Sequence, residues 1–403
     1  MIATETIAYL NSNEPNEPNL LAIGSHKELM VSQGKDPFSA LQLFLEQNPS
    51  WVFGYLGYDL KNHVELLKSE NHDGLGFADI RFFVPKAVYS ELNGEFTLVK
   101  SYDLAFSETL NPSLYLKHEE YTIKSPIHLS SRTPKNVYFQ RVNALLEHIQ
   151  RGDIYEANYC VEFYHEKISL APVATYWQVN QNTKAPYSAY FRHQGHHAIS
   201  GSPELYLEKK GDTITSKPIK GTRKRGETLE EDELLKAELL ADQKERSENV
   251  MIVDLVRNDL SKTAQKDSVK VSELYGIYSF DTVHHMISTV TSKLDSSCSA
   301  VDVLKSTFPM GSMTGAPKIS AMELIEELED AKRGLYSGAV GCFTPDGDFT
   351  FNVVIRTLLY NAHTQYLSLM AGGAITSKST AEQEYREVLL KAAAIKKAIV
   401  EHS

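Results

Sequence analysis

Cysteine is scarce in this chain of 403 residues. Only Cys160, Cys298 and Cys342 are present, and they lie far apart. This spacing forms neither a disulfide framework nor a zinc-binding pattern, so it favours a protein of a reducing compartment.

The chain also lacks long apolar runs and an excess of positive charge. No run is long enough to span a bilayer, and the N-terminus has no basic region followed by an apolar core. We therefore expect a cytoplasmic protein without a membrane partner. Lys and Arg number 41 against 52 Asp and Glu, a formal net charge of −11. Nucleic-acid binding needs a basic surface, so we expect no nucleic-acid partner.

What is present is the composition of an ordinary globular protein, 42% hydrophobic and 23% charged. Residues 1–120 mix strand-like runs with polar loops, and 119–134 form an irregular stretch rich in Ser and Pro. From Val137, apolar residues recur at helical spacing. Strand-like and helix-like blocks alternate without a regular rhythm. This favours an α+β fold over a doubly wound parallel sheet.

One lysine lies in a setting suited to chemistry. Residues 204–216 alternate like two strands joined at a Gly-Asp turn, and the basic, glycine-punctuated stretch 221–227 predicts a loop. Lys220 would then lie at a strand-to-loop junction, where a partly desolvated amine can lose its proton and attack an electrophilic carbon. A lone lysine is more often a solvated surface residue.

Two pairs of glutamates occur at helical spacing. The first pair lies in a helix-like segment from Glu231 to Asn258, and the second in a helix capped at Ser379 or Thr380. The pairs are Glu245 with Glu248, and Glu384 with Glu387. Four carboxylates from two helices can hold one hard cation such as Mg²⁺. Two solvated acidic faces are the commoner origin of such pairs.

Two glycine-rich stretches precede helices. Residues 310–318 lead into a helix with Pro317 in its first turn, and 371–375 lie between a strand and the second acidic helix. Either bend could present backbone N–H groups to an anion, although plain turns are commoner. Neither matches a nucleotide-binding fingerprint.

Seven blocks of sequence resemble the chorismate-using enzymes, in that family's order. They are KPIKGTRKRG, ERSENVMIVDLVRNDL, TVHHMISTV, FPMGSMTGAPK, GLYSGAVG, FNVVIRTL and AGGAIT with EQEYREVLLKA. The resemblance implies two large, mostly antiparallel β-sheets packed face to face with helices outside. It also implies a single α+β domain over 1–403, in which 1–120 contribute strands and 137–403 form the chorismate-binding catalytic region.

The resemblance implies a role for each matching residue. Glu248 and Glu387 correspond to direct Mg²⁺ ligands, and Glu245 and Glu384 to outer carboxylates; no organic cofactor is expected. Glu204 corresponds to the general acid that helps the C4 hydroxyl of chorismate to leave, and His285 lies near that hydroxyl. The implied substrate-binding residues are Tyr336, Arg356, Gly372, Gly373, Ala374, Lys391 and Ser312.

Two positions choose among the family's reactions. Enzymes that add water to chorismate carry a lysine where this chain has Glu156, and anthranilate synthases carry alanine where it has Lys220. The resemblance implies amination at C4 through attack by Lys220, whose pKa we expect to be depressed by burial and nearby cations. Glu156 stands where such enzymes usually carry glutamine. It could orient or deprotonate ammonium, or pair with a cation.

The implied activity is an aminating subunit that makes 4-amino-4-deoxychorismate for the folate route. Another chorismate transformation, such as anthranilate synthesis, and a non-catalytic scaffold are the alternatives. None of the three cysteines lies in a sequence that resembles the nucleophile of a glutamine amidotransferase. We therefore expect a separate glutaminase subunit to supply ammonia.

Overall fold

A computed structural model describes residues 5–31, 36–117 and 127–399 of the chain. These residues form a mixture of helices and strands. The helices there are α1 Pro37–Gln47, α2 Lys61–Val64, α3 Leu104–Thr109, α4 Lys135–Arg151, α5 Pro172–Thr183, α6 Leu229–Ala241, α7 Gln243–Ser261, α8 Ala300–Thr307, α9 Lys318–Leu328 and α10 Ala381–Lys396. Every one of these helices is too short or too polar to cross a membrane.

The strands run from the N-terminal segment to the last helix. They are β1 Ile7–Asn11, β2 Asn19–Ile23, β3 Lys27–Val31, β4 Val52–Leu56, β5 Ile80–Val84, β6 Ala87–Leu92, β7 Glu95–Ser101, β8 Ser130–Ser131, β9 Glu156–His165, β10 Tyr187–His193, β11 His196–Ser202, β12 Leu205–Lys210, β13 Thr213–Lys217, β14 Ile219–Lys224, β15 Lys270–Ser279, β16 Val283–Lys293, β17 Gly315–Ala316, β18 Ala339–Phe343, β19 Phe349–Asn352, β20 Thr357–Asn361 and β21 Tyr366–Thr376.

Two large antiparallel sheets organise the described residues. The first, of eleven strands, follows the order β17-β9-β21-β20-β11-β10-β1-β2-β6-β7, with β8 beside β9. The second, of ten strands, follows β14-β16-β13-β12-β19-β18-β4-β5-β3, with β15 beside β16. The α+β class and the pair of large sheets predicted from the sequence are confirmed.

Alternation along the strands gives the first sheet two buried faces. In β1, Ala8 faces the core shared by the sheets, whereas Ile7 and Tyr9 join a second core with helix residues such as Val142 of α4 and Val388 of α10. Side chains on a strand point to opposite faces in turn, so one strand can serve both cores. Helices therefore cover the outside of the first sheet.

Three local predictions are wrong, two because of pairing with a distant strand and one because of a capping residue inside an expected helix. Residues 221–227 were expected to form a loop, but β14 extends to Lys224 because it pairs with β16. The expected helix from Glu231 to Asn258 is two helices, since Asp242 ends α6 and caps α7 by accepting from the N–H groups of Lys244 and Glu245. Residues 371–375 are no bend: they lie within β21, paired with β9. The irregular stretch 119–134 falls partly outside the described residues.

In each sheet, a strand of the N-terminal segment pairs with a strand from much later in the chain. β1 pairs with β10 in the first sheet, and β4 pairs with β18 in the second. That all 403 residues form one domain stays a prediction. A fragment of residues 127–403 would expose the paired edges of β10 and β18 and the part of the shared core that the N-terminal strands now cover. We expect it to show no cooperative thermal unfolding by circular dichroism, in contrast to the full chain. A monomeric fragment with a sharp transition would contradict the prediction.

Candidate active site

An ion pair between the two sheets marks the site. Lys220 in β14 of the second sheet donates a hydrogen bond from Nζ to Oε1 of Glu156, 2.9 Å away, at the start of β9 in the first sheet. Glu156 is only 1% exposed. Its backbone is held on both sides, by Ala316 of β17 and by Thr376 of β21. The carboxylate is thus fixed in place by the fold.

A β-bulge in β14 determines the direction of the Lys220 side chain. Between its pairings at Ile219 and Thr222, β14 carries one more residue than β16 does between Ile287 and His285. Gly221 takes a φ of +93°, which favours glycine. Lys220 therefore leaves the regular alternation of its strand and reaches across to the first sheet.

The expected depression of the Lys220 pKa is wrong. Burial alone would lower this pKa, but the carboxylates of Glu156, Glu248 and Glu204 outweigh burial and raise it well above its usual value. The basic residues that follow Lys220 in the sequence are not among the main causes. In the ligand-free protein the amine is therefore charged.

Two helices bring four carboxylates to this ion pair. Glu245 and Glu248 lie on α7, which packs on β14 and β16, and Glu384 and Glu387 lie on α10, which packs on β21. Burial raises the pKa of Glu248 to about 7, partly offset by Lys220 and Lys244. Burial would also raise the pKa of Glu387, but Lys391, 2.6 Å away, holds it below its usual value.

The four carboxylates are suitable ligands for a hard cation, although their oxygens do not surround a common point. Within the described ranges, no three acidic, histidine or cysteine side chains converge at metal-binding distances. Glu248 is 8% exposed, and its Oε1 has no hydrogen-bond partner in the described residues. A buried carboxylate oxygen without a donor is costly, and a cation would satisfy it. The residues therefore fit Mg²⁺ by their chemistry.

Lys244 is the residue that the sequence analysis missed. Its Nζ lies 3.7 Å from Oε1 of Glu248 and 3.6 Å from Oε1 of Glu384, so it connects α7 to α10. The sequence signal for a role of Lys244 in the site is its position directly before Glu245.

Glu204 has the environment of an acid. It is 5% exposed, and burial raises its pKa to about 7, against smaller opposite effects of Ser312, Lys220 and the N–H of Ile219. Ser312 lies close enough to the Glu204 carboxyl to lower its pKa. Its hydroxyl nevertheless lacks a well-formed hydrogen bond within the described residues. Glu204 can therefore hold a proton near neutral pH.

His285, Arg356 and Tyr336 are linked electrostatically, since Arg356 acts on His285 and Tyr336 acts on Arg356. The His285 ring contacts the Thr222 hydroxyl at 2.9 Å, and burial, aided by Arg356, lowers its pKa to about 4. The imidazole is thus neutral. Arg356 donates to the carbonyl oxygen of Lys391 at 3.2 Å, and Tyr336 accepts from the Cys160 thiol at 3.8 Å. These groups offer donors for an anionic ligand.

The predicted glycine positions lie on opposite faces of β21. A Cβ on Gly373 would meet Glu384 Oε2 at 3.4 Å and Glu387 Oε1 at 3.6 Å, so Gly373 faces the carboxylates. A Cβ on Gly372 would instead meet Cys160, and by alternation Ala374 shares the face of Gly372. The expected turn geometry at Ala374 does not arise, because the residue pairs with Asn158 in regular β-structure.

Missing hydrogen bonds concentrate in this region. Eight buried side-chain groups lack a partner in the described residues, and four of them are here. They belong to Glu156, Glu248, Asn249 and Ser312. Native proteins rarely leave such groups unsatisfied, so the concentration indicates a polar ligand or ordered water.

Comparisons with known proteins show which family this chain resembles. Residues 5–397 match the family model described as chorismate binding enzyme. Aminodeoxychorismate synthase component 1 of Bacillus subtilis is 34% identical over 363 residues, 86% of this chain and 76% of that protein. Anthranilate synthase component 1 of Cereibacter sphaeroides is 32% identical over 367 residues, 86% of this chain and 73% of that protein.

A solved structure extends the likeness to the fold. The crystal structure of anthranilate synthase component I from Streptococcus pneumoniae TIGR4 superposes with a TM-score of 0.83 at 26% identity. It covers 95% of this chain, and this chain covers 93% of it. The likeness spans both sheets and the helices of the site.

Neighbouring glycines should respond differently to alanine. At Gly372 a Cβ would lie 2.4 Å from both Cys160 Sγ and the Tyr159 carbonyl oxygen, so Gly372→Ala should destabilise the fold by about 1–3 kcal/mol. Gly373→Ala makes only ordinary contacts but intrudes among the carboxylates. We expect unchanged thermal unfolding with activity lower on the order of tenfold. Equal melting temperatures for the two variants would contradict this assignment.

The buried carboxyl of Glu204 should make the stability of the fold depend on pH. A carboxyl whose pKa is raised by folding, here from 4.5 to about 7, binds its proton more tightly in the folded state. Its contribution to stability is therefore greatest below pH 4.5 and is lost as the pH rises to 7. Glu204→Gln should stabilise the fold at pH 8 by roughly 1–3 kcal/mol and change little at pH 4.5. Denaturant unfolding measures this, with exposed Glu95→Gln as control; a pH-independent effect would contradict it.

Proposed function

This chain belongs to the chorismate binding enzyme family, and we propose that it aminates chorismate at C4 to give 4-amino-4-deoxychorismate. One observation carries the proposal: the amine of Lys220 lies in the site itself, buried between Glu156 and the carboxylates of α7. An amine at this place provides a nucleophile that alanine could not. The similarity to the Bacillus subtilis protein supports the same activity.

The proposed chemistry begins with a proton transfer. Lys220 is charged at rest, so it must lose a proton before it attacks, and Glu156 Oε1 is in hydrogen-bond contact to receive it. The Lys220 lone pair then forms a bond to C2, and the two ring double bonds shift. The C4–oxygen bond breaks, and Glu204 gives the leaving hydroxyl a proton so that it departs as water.

Ammonia completes the exchange. It forms a bond to C4, the double bonds shift back, and the C2–nitrogen bond breaks with its electron pair returning to the Lys220 amine. Lys220 then takes back its proton from Glu156, and the new C4 ammonium gives a proton to Glu204. Two easier displacements thereby replace one difficult step. We propose a separate glutaminase subunit as the source of ammonia, and the route to folate as the use of the product.

We propose that Mg²⁺ is bound by Glu248 and Glu387, with Glu245 and Glu384 outside them. When bound, the ion supplies positive charge that neutralises a carboxylate of the substrate. Arg356 and Tyr336 would bind the second carboxylate, for which a planar guanidinium is well shaped. Neutral His285 would position the C4 hydroxyl by hydrogen bonding.

Product analysis tests the proposal. Purified chain with chorismate, Mg²⁺ and an ammonium salt should form the 4-amino product by chromatography, and glutamine in place of ammonium should give little. Lys220→Ala should lose most of this product, whereas Lys217→Ala on the neighbouring strand should retain it. Ortho-amination is the second candidate, favoured by the similarity to anthranilate synthase components. An ortho-amino product from the wild-type chain would establish it instead.

Mass spectrometry tests the role of the lysine directly. Wild-type chain incubated with chorismate and Mg²⁺ but without ammonia should carry a covalent adduct on the peptide that contains Lys220. Lys217→Ala should form the same adduct. Absence of an adduct, together with normal product from Lys220→Ala, would overturn the nucleophilic role.

A further inference from the structure

A single ammonium group joins the two acidic helices. Lys244 Nζ contacts Glu248 of α7 at 3.7 Å and Glu384 of α10 at 3.6 Å. The other cations here contact one helix each, Arg223 reaching Glu245 at 3.5 Å and Lys391 reaching Glu387 at 2.6 Å. Among ion pairs of the described residues, the Lys244 pairs are therefore the ones that connect α7 to α10.

The helices that Lys244 connects belong to different layers. α7 packs on strands of the second sheet and α10 on β21 of the first. Without a positive charge between them, the carboxylates would repel each other across the site, because like charges at short range in a partly buried region interact strongly. Lys244 provides part of that charge within the chain itself, beside Lys220, which acts electrostatically on Glu248 and Glu387.

The position of Lys244 is also one from which it can withdraw. Its side chain is 39% exposed, whereas those of Glu248 and Glu384 are 10% and 3% exposed. A lysine stem is flexible and can carry its head to solvent. At these distances the ammonium makes no hydrogen bond to Glu248 Oε1, which stays unsatisfied. A divalent ion could satisfy that oxygen, and Lys244 does not.

We propose that Lys244 is a positioning residue that holds the carboxylates of α7 and α10 together before the metal binds, and that it competes with the incoming divalent cation for them. The inference rests on the metal role in the proposed function. The ammonium keeps the site assembled, and the metal must displace it. Metal affinity is then set partly by Lys244 as well as by the carboxylates.

Metal binding to the full-length chain, stripped with chelator, tests this. Isothermal titration with Mg²⁺ alone should show binding roughly tenfold tighter to Lys244→Met than to wild type, because one competing positive charge is gone. Lys244→Arg keeps the charge and should bind Mg²⁺ no more tightly than wild type. Lys236→Met on α6 is the matched control, since in the described part of the chain Lys236 forms an ion pair with Glu233 and with no other residue, and it is similarly exposed at 29%.

A second measurement needs no metal. With chelator present, Lys244→Met should unfold at a lower temperature than Lys236→Met, and saturating Mg²⁺ should remove the difference. Loss of a residue with only a structural role would weaken metal binding. Tighter Mg²⁺ binding by Lys244→Met, together with a lower unfolding temperature in the absence of metal, therefore supports competition between Lys244 and the metal.

The failures are separable. Equal or weaker Mg²⁺ binding by Lys244→Met, with measurable binding by wild type, overturns the inference and leaves the proposed function intact. Absence of Mg²⁺ binding in wild type and in every variant overturns the metal role within the proposed function, and this inference with it.

Discussion

The ion pair between Lys220 and Glu156 is the contact on which the site depends. It joins β14 of one sheet to β9 of the other, and both side chains are largely removed from water. A buried charge needs its partner, because loss of one leaves the other uncompensated at a cost of about 3–5 kcal/mol. The pair is therefore both a link between the layers and the main constraint on the charge of the lysine. Any ligand that frees the amine must supply compensation for Glu156.

Charge balance explains why the other groups of the site are arranged as they are. Lys244 connects the carboxylates of α7 and α10, whereas Arg223 pairs with Glu245 of α7 and Lys391 with Glu387 of α10. Oε1 of Glu248 still lacks a hydrogen-bond partner in the described residues. Part of the negative charge that raises the Lys220 pKa belongs to Glu248, and a divalent cation bound there would neutralise that part. Cation binding would therefore weaken the hold of the carboxylates on the Lys220 proton. A cation bound by these carboxylates would thus be coupled to Lys220 through electrostatics, without direct contact.

Sequence reasoning succeeded where the signal is local or where whole blocks resemble a family. The i, i+3 spacing of Glu245 with Glu248 places both on α7, and Thr380 caps α10 as its sequence predicts. It failed where the decisive partner is remote. The charge of Lys220 is set by Glu156, 64 residues earlier, and no local pattern reports that pair. Gly372 and Gly373 favour a bend by composition, yet ten residue pairs with β9 hold β21 in an extended form. Pairing across a sheet outweighs such local preferences.

The same residues show why this site is organised at the expense of stability. Burial of Glu204 makes its ionised form unfavourable near neutral pH, and the unpartnered groups of Glu156, Glu248 and Ser312 add desolvation without compensation. A core of apolar residues in the same place would be more stable. A polar ligand that donates to these oxygens would return part of that free energy on binding. The unsatisfied groups therefore lie where a ligand can bind them. Interactions that the free protein does not make become available to the ligand and to the transition state.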